Sequence, residues 1–507
     1  MKSKSVSSIA ISIIMIGSYI LSFSKESLLA TLFGITQEMD AYTIAIQIPI
    51  TLFALVAVSI RSFVIPIYSN CLYNEGNHSA NRFISNLCGI LFIIIFVFIL
   101  LGEIFADYII HCFAPGFSAE THKITVDLFR ITLPSIIFIA LNDVFSAVLN
   151  VNKKYVFTSL AIYILNICII ICIVVLHSKF GILSAVIGQI FGSFIQLMYM
   201  LFLSKNIFSY IPVLQFKDPK IKESAKMSIP LIWSISVAEV NTIVNKIVAS
   251  SLFVGSISVL NYSSKLNSIF IALMTNIVSV ILYPHYAELA AKKDFKRLNE
   301  VCNFSFGSFS MMVLPLIVLL LIYKQEIVEI AFARGKFDAS AVALTQDSFM
   351  YYTLGLLFIA FRGPITQIFF ALKDTKTPAK NATIGVILNI ILNVTLPFFM
   401  GVNGLALATS ISGAFIVVNL FIKLLKKRED FKMDYFYTSL KKVLITTVVM
   451  MMVILLFEKQ VYISNIYIKP IIGFCIGSII YISALWILRV PVFFKLMANF
   501  RLSKNKE

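Results

Sequence analysis

The sequence predicts an all-α polytopic membrane protein of fourteen transmembrane helices, arranged as two parallel-related six-helix lobes plus two C-terminal helices. Three observations predict it. Of 507 residues, 59% are hydrophobic and 13% charged, against about 25% charged in soluble globular chains. The apolar residues fall into runs of about 20, the helix length that crosses roughly 30 Å of hydrocarbon. Features of the first half also recur in the second at an offset of about 220 residues.

In chain order the expected spans are 7–30, 42–62, 85–108, 129–150, 157–176, 181–203, 227–250, 260–283, 302–323, 348–371, 381–400, 402–422, 437–457 and 468–488. None shows the period-2 alternation of a membrane barrel, and a helix satisfies its own backbone groups in lipid. The first begins like a signal peptide, with Lys2 and Lys4 before an apolar stretch. It lacks a small-residue cleavage site, and Lys25-Glu26 interrupt its far end, so it is expected to remain as a span. The corresponding domains are an N-terminal lobe at 1–205, a cytoplasmic linker at 206–226, a second lobe at 227–425, and a C-terminal segment at 426–507.

Charge orients this topology. Fourteen spans put both termini on one side, together with about 30 of the 42 Lys and Arg. That side carries Lys153-Lys154, the 292–297 and 373–380 loops, Lys426-Lys427-Arg428 and the basic tail. The loops at 34–41 and 251–258 carry none. The excess of basic residues marks the cytoplasmic side, and some are expected to touch anionic membrane lipids. The net charge of +17 is scattered over short loops, which excludes a nucleic-acid-binding face.

The repeat is visible in short strings. Phe113-Ala-Pro-Gly-Phe117 follows the third span and Phe332-Ala-Arg-Gly-Lys-Phe337 the ninth; Ile164-Leu-Asn-Ile167 lies in the fifth and Ile387-Leu-Asn-Ile390 in the eleventh. An offset of six helices preserves direction through the membrane, so the lobes are related by an axis near the membrane normal. Two such lobes enclose a central cavity.

Ionisable residues within the spans point to the chemistry, because each costs about 2.5–3.5 kcal/mol at the bilayer centre unless it faces protein or water. Ser18, Ser22 and Lys25 share one face of the first span. Glu239 and Lys246 form a polar stripe with Ser236 and Thr242 in the seventh, and Lys265 lies with Asn261, Ser268 and Thr275 in the eighth. Lys25, Lys246 and Lys265 are candidates to face an anionic substrate. Snorkelling is the alternative for Lys25 and Lys265, and a structural ion pair the alternative for Glu239 with Lys246. Glu26, Asp40, Arg61, Asp143 and Arg362 are candidates for gating or coupling. Asp40 is also placed to cap the second span, and Gly363-Pro364 after Arg362 predicts a kink or a loosened turn.

No phosphate-binding GxxxxGK[ST] loop, HExxH motif or nucleophile elbow is present. The five histidines are dispersed, and the seven cysteines are expected to be small buried hydrophobes. Loops no longer than about 20–25 residues leave no room for an aqueous catalytic domain. Transport without a cofactor, coupled to membrane potential or a monovalent ion, is therefore the expected class. A small-solute antiporter and a membrane-embedded enzyme remain as alternatives.

Phe23-Ser-Lys-Glu26, Leu32-Phe-Gly34 with Asp40-Ala-Tyr42, the two Phe-Ala-containing turns, and Phe370-Ala-Leu-Lys-Asp-Thr-Lys-Thr-Pro378 carry a resemblance to a known family. In these strings the sequence resembles the MviN/MurJ family of lipid II flippases, within the wider multidrug/oligosaccharidyl-lipid/polysaccharide exporter superfamily. The resemblance implies a bacterial cytoplasmic-membrane protein acting as a monomer. It would flip undecaprenyl-pyrophosphate-linked peptidoglycan precursor by alternating access through a cationic cavity, with the last two helices holding the lipid tail. It places Lys25 and Lys265 at cavity positions that the family fills with arginine, and Asp40 at an acid that follows the first span. Tyr19 and Phe53 stand where the family carries two further cavity arginines. Another lipid-linked oligosaccharide is therefore the alternative substrate.

Overall fold

A computed structural model of the chain describes residues 2–277, 282–427, 431–461 and 465–504, except the side chains at 2–13, 52–59, 61, 229–238, 273–277 and 499–504. Helix is the sole regular backbone structure among the described residues. Two compact units emerge, Met1–Ser258 and Val259–Glu507.

The first unit contains α1 (Lys2–Phe33), α2 (Gln37–Asn70), α3 (Asn77–Ile104), α4 (Ala106–Phe113), α5 (Ala119–Thr132), α6 (Ser135–Val151), α7 (Tyr155–Phe180), α8 (Leu183–Ser204) and α9 (Pro219–Ser250). α2 is its hub, packing on α5, α6 and α9. α7 and α8 pair closely because Gly188 and Gly192 present no side chain: a Cβ at Gly188 would lie 2.8 Å from the Ile169 Cα. Small residues four apart let membrane helices approach in this way. α5 and α6 meet at an angle of 43° around Pro134.

The packing boundary lies at 258/259, whereas the repeat places the division at 206–226. Two contacts explain the difference. α9 packs along α2, and the stretch before α9 is strapped to α3. There the Ile211 N–H donates to Ser85 Oγ at 3.0 Å, and Asn86 exchanges two bonds, at 2.7 and 3.0 Å, with the Gln215 backbone.

At the boundary begins α10 (Ser256–Ile277). The second unit continues with α11 (Tyr283–Ala291), α12 (Phe295–Ile322), α13 (Lys324–Phe332), α14 (Ala339–Leu354), α15 (Leu356–Ala371), α16 (Lys376–Thr395), α17 (Pro397–Met400), α18 (Val402–Lys427), α19 (Asp434–Gln460), α20 (Ile468–Ile487) and α21 (Pro491–Lys504). Its core centres on Phe306, whose ring meets Phe361, Phe421 and Phe436 at centroid distances of 5.8–5.9 Å. α16 and α18 are joined by buried amides: Asn381 donates to the Ile416 carbonyl at 2.7 Å and Asn389 to Ser412 Oγ at 2.8 Å. The two helices beyond the repeat, α19 and α20, pack on α12. The Tyr481 hydroxyl donates to the Met311 carbonyl at 2.8 Å, while Lys469 bridges Glu326 at 2.5 Å and Glu458 at 3.1 Å.

Among the described residues, eight helices are long and apolar enough to span a membrane, nine if the bent α5–α6 pair is one span. The described residues of the other five expected spans are mostly helical, at α1, α2, α9, α10 and α16, with residues 278–281 of the eighth outside the described residues. α15 runs through Gly363-Pro364 as continuous helix. The break in that span falls eight residues earlier, at Gly355. Contact with α18 explains the position: a Cβ at Gly355 would lie 2.5 Å from Ser410 Oγ.

Four non-glycine residues among those described have positive φ, and all are basic: Lys153, Lys293, Lys373 and Arg489, at +62°, +57°, +59° and +47°. Each follows a helix C-terminus and closes it with a paired turn. At Lys373, for example, its own N–H donates to Phe370 O and the next N–H to Phe369 O. Glycine is the usual occupant of this left-handed cap. The neighbouring Asp374 accepts from Thr377 N at 3.0 Å and from Lys427 Nζ at 2.5 Å. Lys427 and the Thr377 amide pull its carboxyl down to about 2.

Candidate functional site

The polar face predicted on α1 is present, but its cation is already engaged. Lys25 Nζ lies 3.3 Å from Glu26 Oε1, with the two side chains 16% and 6% exposed. Removing either partner from so desolvated a pair leaves the other charge uncompensated. Ser22 is half-buried, and Ser18 is buried with its hydroxyl donating to the Met15 carbonyl at 2.7 Å.

On α9, Glu239 and Lys246 are half-buried, and Glu239 is within hydrogen-bonding reach of Thr51 on α2. Lys265 is half-buried on α10 in the second unit, where Ser268 Oγ donates to its carbonyl at 2.7 Å. Asp143 is buried on α6, and Arg362 is exposed on α15. The side chains of Arg61, Ser236, Thr275 and Phe53 lie outside the described residues.

Asp40 corrects the expectation of a cap on its own helix. Thr36 caps α2, its hydroxyl accepting from Met39 N at 3.4 Å. Asp40 lies one turn in and caps the start of α10 instead. Its Oδ2 accepts from Gly255 N at 2.7 Å, and its Oδ1 from Ser258 N at 2.8 Å and Ser258 Oγ at 2.5 Å. The carboxylate is 3% exposed. Such charge-assisted bonds to helix-start amides are strong because charge, dipole and geometry agree.

Two glycines make this latch fit. Gly255 has φ +97°, and a Cβ there would meet the Ile35 carbonyl oxygen at 2.5 Å. Gly116, within the Phe113–Phe117 string, passes so close to the 250–251 backbone that a Cβ would lie 2.4 Å from Ser250 O; its N–H donates to Ser250 Oγ at 3.2 Å. A cavity of about 320 Å³ remains between them, bordered by Gln37, Asp40, Ser118, Thr121 and Ser250. Sequence reasoning singled out Asp40 and the string around Gly116, but missed Gly255 and Ser258. Their signal was a glycine one residue ahead of a helix start in a loop devoid of charge.

The repeat reappears as local structure. Ser118 caps α5 by accepting from Thr121 N at 3.2 Å, and Asp338 caps α14 by accepting from Ala341 N at 2.8 Å. In the second copy Phe332 and Phe337 close on Tyr262, at centroid distances of 5.1 and 5.5 Å. Among the described residues, no group of three or more His, Cys, Asp or Glu converges as a metal site.

Comparison with known proteins agrees with this architecture. Residues 29–469 match the family described as "Lipid II flippase MurJ". The chain is 30% identical to the lipid II flippase MurJ of Thermosipho africanus over 415 residues, covering 82% of this chain and 84% of that protein. It is 28% identical to the probable lipid II flippase MurJ of Buchnera aphidicola subsp. Schizaphis graminum over 426 residues, covering 83% of each. A solved structure of lipid II flippase MurJ in an inward closed conformation superposes with a TM-score of 0.82 at 29% identity, covering 96% of this chain and all of that one. An inward-facing multidrug resistance MATE transporter of the MOP superfamily shares the fold, with a TM-score of 0.68 at 12% identity over 84% of this chain and 99% of that one.

Proposed function

Because the chain belongs to the lipid II flippase MurJ family, we propose that it flips lipid II, a polyprenyl-pyrophosphate-linked cell-wall precursor, from the inner to the outer leaflet of the bacterial cytoplasmic membrane. The near end-to-end correspondence with a solved lipid II flippase carries this reading. In it the anionic headgroup enters a hydrated path while the prenyl tail stays in lipid. Lys25, Lys246 and Lys265 supply the positive charge, and Glu239, Ser18 and Ser22 the polar lining. Lys25 must exchange its 3.3 Å contact with Glu26 for the pyrophosphate. Glu26 thus prevents a bare cation in the empty state. A lysine ammonium meets phosphate as a point charge, without the two-pronged geometry of arginine.

Asp40 serves as the outer latch. Its three bonds fix the start of α10, and translocation requires that they break. Asp143 and Arg362 then respond to the rearrangement, and Arg61 stands at the inner boundary of the second span. No ATP is needed: one net charge moved through 100 mV is worth about 2.3 kcal/mol, enough to bias flipping.

Both termini face the cytoplasm in this reading. The loop asymmetry of Lys and Arg supports that orientation, and the left-handed caps with basic side chains are part of it. The basic caps at Lys153, Lys293, Lys373 and Arg489 fall in the inner loops; of the positive-φ glycines, those at 34, 181, 255, 335 and 401 fall in outer loops and Gly76 in an inner one. Another lipid-linked oligosaccharide is the second reading. Tyr19 favours it, because it is 40% exposed on α1 where the family resemblance implies an arginine.

Purified full-length protein in vesicles, supplied with lipid II on one face and a membrane-impermeant lipid II-modifying reagent on the other, tests the proposal. Lys25→Ala and Lys265→Ala should insert normally and lower flipping at least tenfold, about the 1.4 kcal/mol of one lost charge contact. Wild-type rates in both would remove these lysines from the mechanism. Flipping of other prenyl-pyrophosphate glycans but not lipid II would transfer the assignment to the second reading, and no flipping of either would overturn both.

A further inference from the structure

We propose that the inner end of α20 is a binding site for the headgroup phosphate of an anionic glycerophospholipid, with Arg489 as the recognising cation. The assignment rests on the orientation above, which puts this end of α20 in the cytoplasmic leaflet. A cavity of about 680 Å³ opens where α20 turns into α21, lined by Trp486, Ile487, Arg489, Pro491 and Phe494. Arg489 is its one charged lining residue, and no Asp or Glu occurs between Glu458 and Glu507, a stretch that holds seven Lys and Arg. The wall is apolar and open: Trp486 is 65% and Ile487 69% exposed.

Arg489 occupies the left-handed cap of α20 at φ +47°, its N–H donating to Trp486 O at 3.2 Å and the Val490 N–H to Leu485 O at 3.1 Å. Glycine would close the same turn without the Cβ penalty. Backbone geometry therefore does not call for arginine, and the side chain is the reason to have one. A second cation reinforces the turn, since Lys442 Nζ donates to the Arg489 carbonyl at 3.1 Å. On α21, Lys495 lies over the rings of Phe304 and Tyr435, 5.3 and 5.5 Å from their centroids.

A ligand here must be anionic, to meet a guanidinium that has no acid nearby in sequence, and amphiphilic, to cover Trp486 and Ile487. Inorganic phosphate satisfies only the first condition and a neutral prenyl chain only the second. A lipid with an anionic headgroup satisfies both, and the tryptophan stands at the depth where interfacial aromatic residues anchor.

The chain has two tryptophans, so Trp233→Phe leaves Trp486 as the sole emitter in the full-length protein. In phosphatidylcholine vesicles, brominated phosphatidylglycerol should quench Trp486 with an apparent affinity about fivefold above that of brominated phosphatidylcholine, the preference one basic residue confers at an anionic surface. Arg489→Gly keeps the backbone in its preferred conformation and should bring the ratio to one. A ratio of one with Arg489 present, or a fivefold preference surviving Arg489→Gly, would overturn the proposal. So would a saturable response to inorganic phosphate that matches the lipid effect, because the ligand would then be a free anion. Lipid II flipping is read separately: a parent protein that fails to flip but keeps the quenching ratio sinks the transport reading and spares this one.

Discussion

Asp40→Asn tests whether the bonds at the start of α10 form a latch or merely fill space. Asparagine keeps the volume but has one acceptor oxygen, so one of the two amides now bound by Asp40, Gly255 N or Ser258 N, would face an NH₂ group. Losing one hydrogen bond to a charged group costs about 2 kcal/mol. At 1.4 kcal/mol per factor of ten, the opened form should become about 30-fold more populated. Ser256, the first residue of α10, is fully buried and reports opening. With Ser256→Cys in place, the rate of labelling by a membrane-impermeant maleimide, corrected for the native cysteines, should rise about 30-fold in Asp40→Asn. Helix content should not change. An unchanged rate would show that the α10 start does not depend on Asp40. A rise accompanied by loss of helix would show global unfolding in place of a local opening.

Gly116→Ala should lower stability by about 2–3 kcal/mol, read as a lower melting temperature in detergent, because the added methyl would press on backbone that has no rotamer to yield. Gly413→Ala, inside α18 with only the Ile359 Cγ1 at 3.8 Å from the added Cβ, is the control and should not lower that temperature. Asp374 gives a pH signature. Its folded value of about 2 lies below the ordinary 3.8, so its contribution is complete above the unfolded value and disappears as pH falls through the folded one. The melting temperature of the parent protein should therefore fall between about pH 4 and 2 by a component missing from Asp374→Asn. An identical acid profile in both proteins would refute that tie between α16 and α18.

What the sequence revealed and what it hid divide along a physical line. Membrane helices are legible because hydrocarbon leaves one solution for the backbone, and the repeat is legible because its turns need the same local chemistry twice. Ser118 and Asp338 illustrate this: both cap the helix after a Phe-Ala turn, and neither requires a distant partner. Asp40 was legible as a cap but not as a cap on α10, because its partners lie 215 and 218 residues away. Gly355 was hidden for the same reason. It resembles any helical glycine until Ser410 on α18 is found against it. Proline alone does not say where a helix is broken: Pro364 sits inside continuous helix, whereas Pro134 stands where α5 and α6 meet at 43°. At Lys25, polar spacing along α1 reveals a face and the adjacent Glu26 an available counter-charge, while the 3.3 Å contact and its burial come from the folded chain.

The basic caps set a local cost against a membrane gain, and the two can be separated. Lys153 and Lys373 occupy equivalent turns of the repeat, and both adopt a backbone conformation that costs a non-glycine residue about 1–2 kcal/mol. A basic residue beside an anionic surface regains about 1 kcal/mol, and a cation at a helix C-terminus adds about 0.3–1. In neutral detergent only the dipole contribution survives, so the Lys153→Gly, Lys373→Gly double variant should melt higher than the parent. In vesicles rich in phosphatidylglycerol that advantage should shrink or reverse. Equal stabilisation in both settings would mean that the side chains do not reach headgroups. Destabilisation already in neutral detergent would mean that the lysines hold the turns through protein contacts, and the lipid argument for all four caps would lose its footing.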